Sequence, residues 1–166
     1  MSLSELARRE NELYAVVLSL GASQKGNEQI LEELGIFKSF YNVHQEYASL
    51  GRTDLEALKR GLFISWYSNV EPAYATGIRE LDPESELVLL KTLNERIRVK
   101  KIDYELEWML DHYTSYGTTF TNLSQLEHLQ KRLSNSTLHQ PNALDIESMS
   151  ERGLMGIFWS FASTFN

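Results

Sequence analysis

The stretch IDYELEWMLDHYTSY, residues 102–116, decides how this chain is read. At about 100° per residue, Ile102, Leu106, Met109, Leu110 and Tyr113 fall on one face of a helix, with Tyr104 and Trp108 nearly opposite. A helix that is apolar on two sides needs a neighbour on each. It either sits in the middle of a helical bundle or presents its second face to a partner. Asp103, Glu107 and Asp111, each one turn from the next, draw an acidic line between the two apolar sides.

Helical patterning continues outward in both directions. Towards the N-terminus, Ser2 and Glu5 have capping-box spacing, and Leu3, Leu6, Leu13, Val17 and Leu20 form a stripe that ends at Gly21. Short helices follow over EQILEEL and IFKSFYNVHQEYASL, closed by Gly35 and Gly51. Thr53 and Glu56 repeat the capping-box spacing ahead of a stripe of Leu55, Leu58, Leu62 and Trp66. The pattern then breaks over residues 68–82. There Pro72 disfavours helix at Glu71, Gly77 can supply a positive φ, and Asp82 with Pro83 restarts a helix faced by Leu87, Leu90, Leu93 and Ile97.

Beyond residue 116, LSQLEHLQKRL predicts a modest helix, SNSTLHQPNA a polar linker, and LDIESMSERGLMGIFWSFASTFN a last helical segment. No alternating strand pattern interrupts this. The expectation is an all-α chain forming a single domain over residues 1–166. About seven helices pack in one compact bundle, with an N-terminal group over 2–67, an irregular aromatic connector at about 68–82 and a C-terminal group over 83–165.

Composition sets the limits. A chain of 166 residues buries roughly 70% of its unfolded surface, so one core suffices. Cysteine is absent, which removes disulfides, thiolate catalysis and Cys-based metal sites. The formal charge of −7 is spread evenly, with 8 basic and 11 acidic groups in residues 1–80 and 8 and 12 in residues 81–166. Such a surface repels phosphate backbones and anionic lipid and favours a basic protein partner. The basic RIRVKK, residues 96–101, is accounted for by the helix dipole at a C-terminus, so no nucleic-acid partner is expected. VVLSLGAS, residues 16–23, is preceded by Glu5, Glu10 and Glu12 and is spaced as a helix. It reads as mature chain, no run reaches the roughly 18 apolar residues of a membrane span, and the expected setting is cytoplasmic with no membrane contact.

The signatures of phosphate-binding loops, dinucleotide folds, serine hydrolases and zinc proteases are missing. His44, His112, His128 and His139 lack the Glu-x-x-His spacing of di-iron bundles, so no metal, cofactor or catalytic residue is assigned. Asp111 beside His112 suggests an acid-base pair, but neighbours on a helix point about 100° apart, and surface charge explains both.

Two sites are expected. The first is a protein-binding face of Asp103, Tyr104, Glu107, Trp108 and Asp111, with aromatic anchors flanked by carboxylates. The second is a ligand pocket in the connector, with Glu71 and Arg79 recognising a charged ligand between walls of Trp66, Tyr67 and Tyr74, and His112 close by. The C-terminal face of Leu154, Ile157, Phe158, Phe161 and Phe165, widened by Met155 and Trp159, either docks on the body or forms a homodimer seam over residues 153–165. The leading expectation is a non-catalytic acidic helical protein that binds a basic partner, in the manner of immunity or antitoxin inhibitors. The alternative is a small helical enzyme or ligand sensor using the pocket near Glu71, Tyr74 and Arg79.

Overall fold

A computed structural model describes residues 1–21, 26–116, 120–121, 123–135 and 147–162. Among them the chain is all-α, with helices α1 (Leu3–Ser19), α2 (Asn27–Glu33), α3 (Ile36–Leu50), α4 (Leu55–Val70), α5 (Ala73–Thr76), α6 (Pro83–Arg98), α7 (Tyr104–Thr114), α8 (Glu127–Ser134) and α9 (Gly153–Ala162). A 3-10 turn, Glu147–Glu151, leads into α9. Gly117, most of the expected polar linker including His139, and Phe165 lie outside the described residues.

Local chemistry places most boundaries. The Ser2–Glu5 capping box forms in both directions, the Ser2 side chain accepting from the Glu5 N–H at 3.2 Å and Glu5 from the Ser2 N–H at 2.7 Å. The expected Thr53–Glu56 box does not form. Asp54 caps α4 instead, accepting from the Ala57 N–H at 2.9 Å, and Glu56 turns to Arg60 and Arg152. Asp82 and Asp103 cap α6 and α7, accepting from the N–H groups of Ser85 at 3.2 Å and Leu106 at 2.8 Å.

The connector is shorter than the sequence pattern suggests. α4 runs on to Val70, Glu71 leaves it in extended geometry, and Pro72 opens the short α5. This added helix and the separate turn before α9 account for most of the excess over about seven elements. Gly77 ends α5 at φ 78°, pressed so close to Val17, Ile36 and Phe40 that a Cβ would meet methyls of the first two at 2.9 Å. The next residue, Ile78, is buried in the core.

α4 is the centre of the molecule. Every residue from Ala57 to Trp66 is buried, and α3, α6 and α9 pack around it. Lys59 and Arg60 are therefore buried as well, and they are matched at one end of the bundle. Lys59 Nζ lies 2.6 Å from Asp103 and 2.8 Å from Glu105, Arg60 Nε lies 2.8 Å from Glu56, and Arg152 joins Glu56 at 2.7 Å to Glu105 at 3.0 Å. Three cations meet three carboxylates. The set ties α4 to the start of α7 and the entry to α9, and Arg60 adds a bond to the Leu3 carbonyl at 3.0 Å.

The C-terminal segment docks on the body. Leu154, Met155 and Trp159 are fully buried in the same core cluster as Leu6, Phe63 and Trp66. Both glycines permit a close approach: a Cβ on Gly153 would meet Glu10 Oε1 at 2.4 Å, and one on Gly156 would meet the Met149 carbonyl at 1.7 Å. The Leu154 N–H donates to Glu10 Oε2 at 3.0 Å, while the Tyr47 hydroxyl donates to Glu10 Oε1. Of the segment expected either to dock or to form a homodimer seam, Leu154, Met155 and Trp159 are thus occupied within the chain, while Phe161 is exposed.

Candidate functional site

Of the two expected sites, the face on α7 is mostly taken up inside the fold. Trp108 is 6% exposed, with its ring centroid 4.7 Å from that of Trp159 and 5.7 Å from that of His112. Asp111 is buried against Arg132 Nη1 at 2.8 Å, and Arg132 Nη2 also donates to the Glu107 carbonyl at 3.0 Å. Asp103 caps its helix and holds Lys59. Only Tyr104, 51% exposed, presents a large ring to solvent, and Glu107 is half-buried. Trp108 is therefore corrected from an anchor, and Asp111 from a flanking carboxylate, of an open face to parts of the interior, since Trp159 of α9 packs on the indole and Arg132 of α8 pairs with the carboxylate.

The connector pocket divides. Arg79 turns away from Glu71 to pair with Glu32 and lie 4.2 Å over the Phe37 ring, in a separate cleft of α2 and α3. None of the described clefts is lined by both Glu71 and Arg79. Tyr74, half-buried in α5, lines neither cleft, and Trp66, 1% exposed, lies beneath the surface.

Tyr67 and His112 do meet at a cavity. A pocket of about 340 Å³ opens between α1, α4, the end of α7 and α9. Its walls are Tyr14, Tyr67, His112 and Tyr116 on one side and Leu154, Ile157, Phe158, Phe161 and Ala162 from α9 on the other. The rings belong to a continuous aromatic cluster. Phe158 lies 5.6 Å from Tyr67, 5.9 Å from His112 and 5.3 Å from Trp66, and Tyr116 lies 5.2 Å from His112. The cluster continues into the core, where Trp66 stacks on Tyr113 at 4.7 Å and Tyr113 on Trp159 at 6.0 Å. At the rim Tyr116 is 57% and Phe161 67% exposed.

The polar groups of the pocket are few. Burial pushes the Tyr14 and Tyr67 hydroxyls above the usual phenol range, and the Glu71 carboxylate raises both further. Glu71 is thus within electrostatic reach of both tyrosines. Burial lowers the pKa of His112, so its imidazole is neutral at pH 7, and its Nε2 has no hydrogen-bond partner among the described residues. Among the described residues no Lys or Arg lines the cavity.

Of the residues expected at the connector pocket, Tyr67 and His112 line this cavity and Glu71 does not, and sequence reasoning missed Tyr14 and Tyr116. Tyr14 sits one residue off the apolar stripe of α1, and an aromatic beside a stripe was the available signal. Among the described residues, no three His, Asp or Glu side chains gather into a metal-binding group, and no helix is long and apolar enough to cross a membrane. Compared with protein-family models, with curated proteins and with solved structures, the chain matches none.

Proposed function

We propose that this chain is a non-catalytic binding module whose recognition site is the pocket between α1, α4, α7 and α9. The carrying observation is the aromatic-lined cavity of about 340 Å³ with Tyr116 and Phe161 exposed at its mouth. Ligand sites are typically concave, mostly apolar and furnished with a few polar groups, at volumes from roughly 300 Å³ upward. The residues around it bind rather than react: phenols with raised pKa are poor nucleophiles, and the one imidazole has no carboxylate among its hydrogen-bond partners.

A neutral fluorescent probe, N-phenyl-1-naphthylamine, tests this. It should brighten on binding with a stoichiometry of one, and Ala162→Trp, which fills the cavity from α9, should abolish the signal without lowering the melting temperature. An undiminished signal from the variant would place the probe elsewhere and remove the reading. The charge of −7 supports a basic protein partner as the second reading, seated away from the buried part of α7. Its test is recovery of a stoichiometric basic partner at low but not at high salt.

A further inference from the structure

Resting on that reading of the pocket, we infer that its ligand is a small organic cation, a positively charged nitrogen carried on an apolar body, held against aromatic faces with the Glu71 carboxylate as counter-charge. Three observations converge on this class. The first is the walls. Tyr67, His112, Tyr116 and Phe158 are inclined to one another, with Tyr67 at 61° and His112 at 76° to Phe158 and His112 at 47° to Tyr116. Rings at 5.2 to 5.9 Å pack against one another, and all four also line the cavity, so a cation lodged there rests over a joined aromatic surface and not between separated rings.

The second is the sign of the field. Among the described residues the lining holds no Lys or Arg, and its one basic side chain is the His112 imidazole, whose pKa burial lowers. Glu71, exposed at the end of α4, follows Tyr67 of the wall by one helical turn, its N–H donating to the Tyr67 carbonyl at 3.1 Å, and its carboxylate adds to burial in raising the Tyr14 and Tyr67 phenols. A carboxylate ligand would find no cation to neutralise it there. A cation would find a carboxylate, aromatic quadrupoles and a molecule of net charge −7 drawing it in.

The third is the balance of polar and apolar surface. Leu154, Ile157 and Ala162 give the cavity an aliphatic side that a bare metal ion or a fully hydrated ammonium would leave unfilled. An apolar body of aromatic or branched aliphatic character fits against it. The exposed rim at Tyr116 and Phe161 closes over the part of the ligand nearest solvent.

The test uses three probes of similar size in titration calorimetry on the full chain: benzyltrimethylammonium, its neutral isostere neopentylbenzene, and phenylacetate. The cation should bind about tenfold tighter than the neutral isostere, and phenylacetate should be the weakest of the three. Glu71→Gln, an exposed change that leaves the core untouched, should weaken the cation severalfold and leave neopentylbenzene as it was. If the neutral probe binds as tightly as the cation, or Glu71→Gln changes neither, the cation assignment is overturned while the pocket reading stands. If none of the three binds at millimolar concentration, both fall together.

Discussion

Glu10 shows at the residue scale how a carboxyl can be built into a core. It sits on the apolar stripe of α1, four residues after Leu6 and three before Leu13, and is fully buried with Tyr47 and the Leu154 N–H as partners. Burial is the largest influence on it and pushes its pKa up to about 7. The unfolded chain releases this proton near pH 4.5 while the fold keeps it, so Glu10 makes stability fall as pH rises from 4.5 to about 7, by on the order of 3 kcal/mol. His44 acts in the opposite direction. Buried and bonded through Nε2 to the Ser65 hydroxyl at 2.8 Å, it is lowered from 6.5 to about 4, so its contribution is lost as pH falls through that window. The two slopes oppose each other between pH 4.5 and 6.5. Urea unfolding across that range should show Glu10→Gln gaining stability with rising pH and His44→Gln losing it; parallel profiles would refute the assignment. Trp108→Asp places a charge where the indole is 6% exposed and should cost more than about 4 kcal/mol in thermal unfolding, whereas Tyr104→Asp should cost only about 0.5 kcal/mol. Glu10 was legible as an interruption of its stripe, although nothing in the sequence names Tyr47 and Leu154 as its partners, because those contacts arise only when α1, α3 and α9 meet.

Among whole elements, the sequence carried the beginnings of helices better than their neighbours. Ser2, Asp82 and Asp103 cap because a side-chain oxygen satisfies N–H groups only three residues away, and that chemistry is local. The pairing of helices is not local. Lys59, Arg60 and Arg152 look like surface charges in the sequence and are buried, since the ring of carboxylates that neutralises them comes from α4, α7 and its cap. The same distance in sequence hid the division of the connector pocket, because Glu32 claims Arg79 from 47 residues away. Arg152→Ala would leave Glu56 and Glu105 without their shared cation and should cost about 3–5 kcal/mol in urea unfolding. Arg98→Ala, whose Glu95 pair is exposed on α6, should leave stability nearly unchanged, and a comparable loss from both would count against the buried network.

For the molecule as a whole, one core cluster runs from Leu6 through Trp66 to Trp159, with α4 shared between the N-terminal and C-terminal helical groups. Unfolding should therefore be a single cooperative transition. Far-UV circular dichroism follows all the helices, while tryptophan fluorescence follows Trp66, Trp108 and Trp159, which sit in the aromatic cluster where α4 meets α7 and α9. The two melting curves should coincide, and separated midpoints would divide the chain into two units. The closure of that core by α9 has a consequence for biosynthesis. Domains begin to fold while the chain is still being made, N-terminal parts first. Yet Trp159, Met155 and Leu154, together with the Leu154 N–H that Glu10 receives, are supplied only at the far end of the chain, Leu154 coming 144 residues after Glu10. Until then Phe63, Trp66 and Tyr113 have no cover from α9, so a nascent chain halted before Gly153 should light up an apolar dye and recruit chaperones, and a complete one should not.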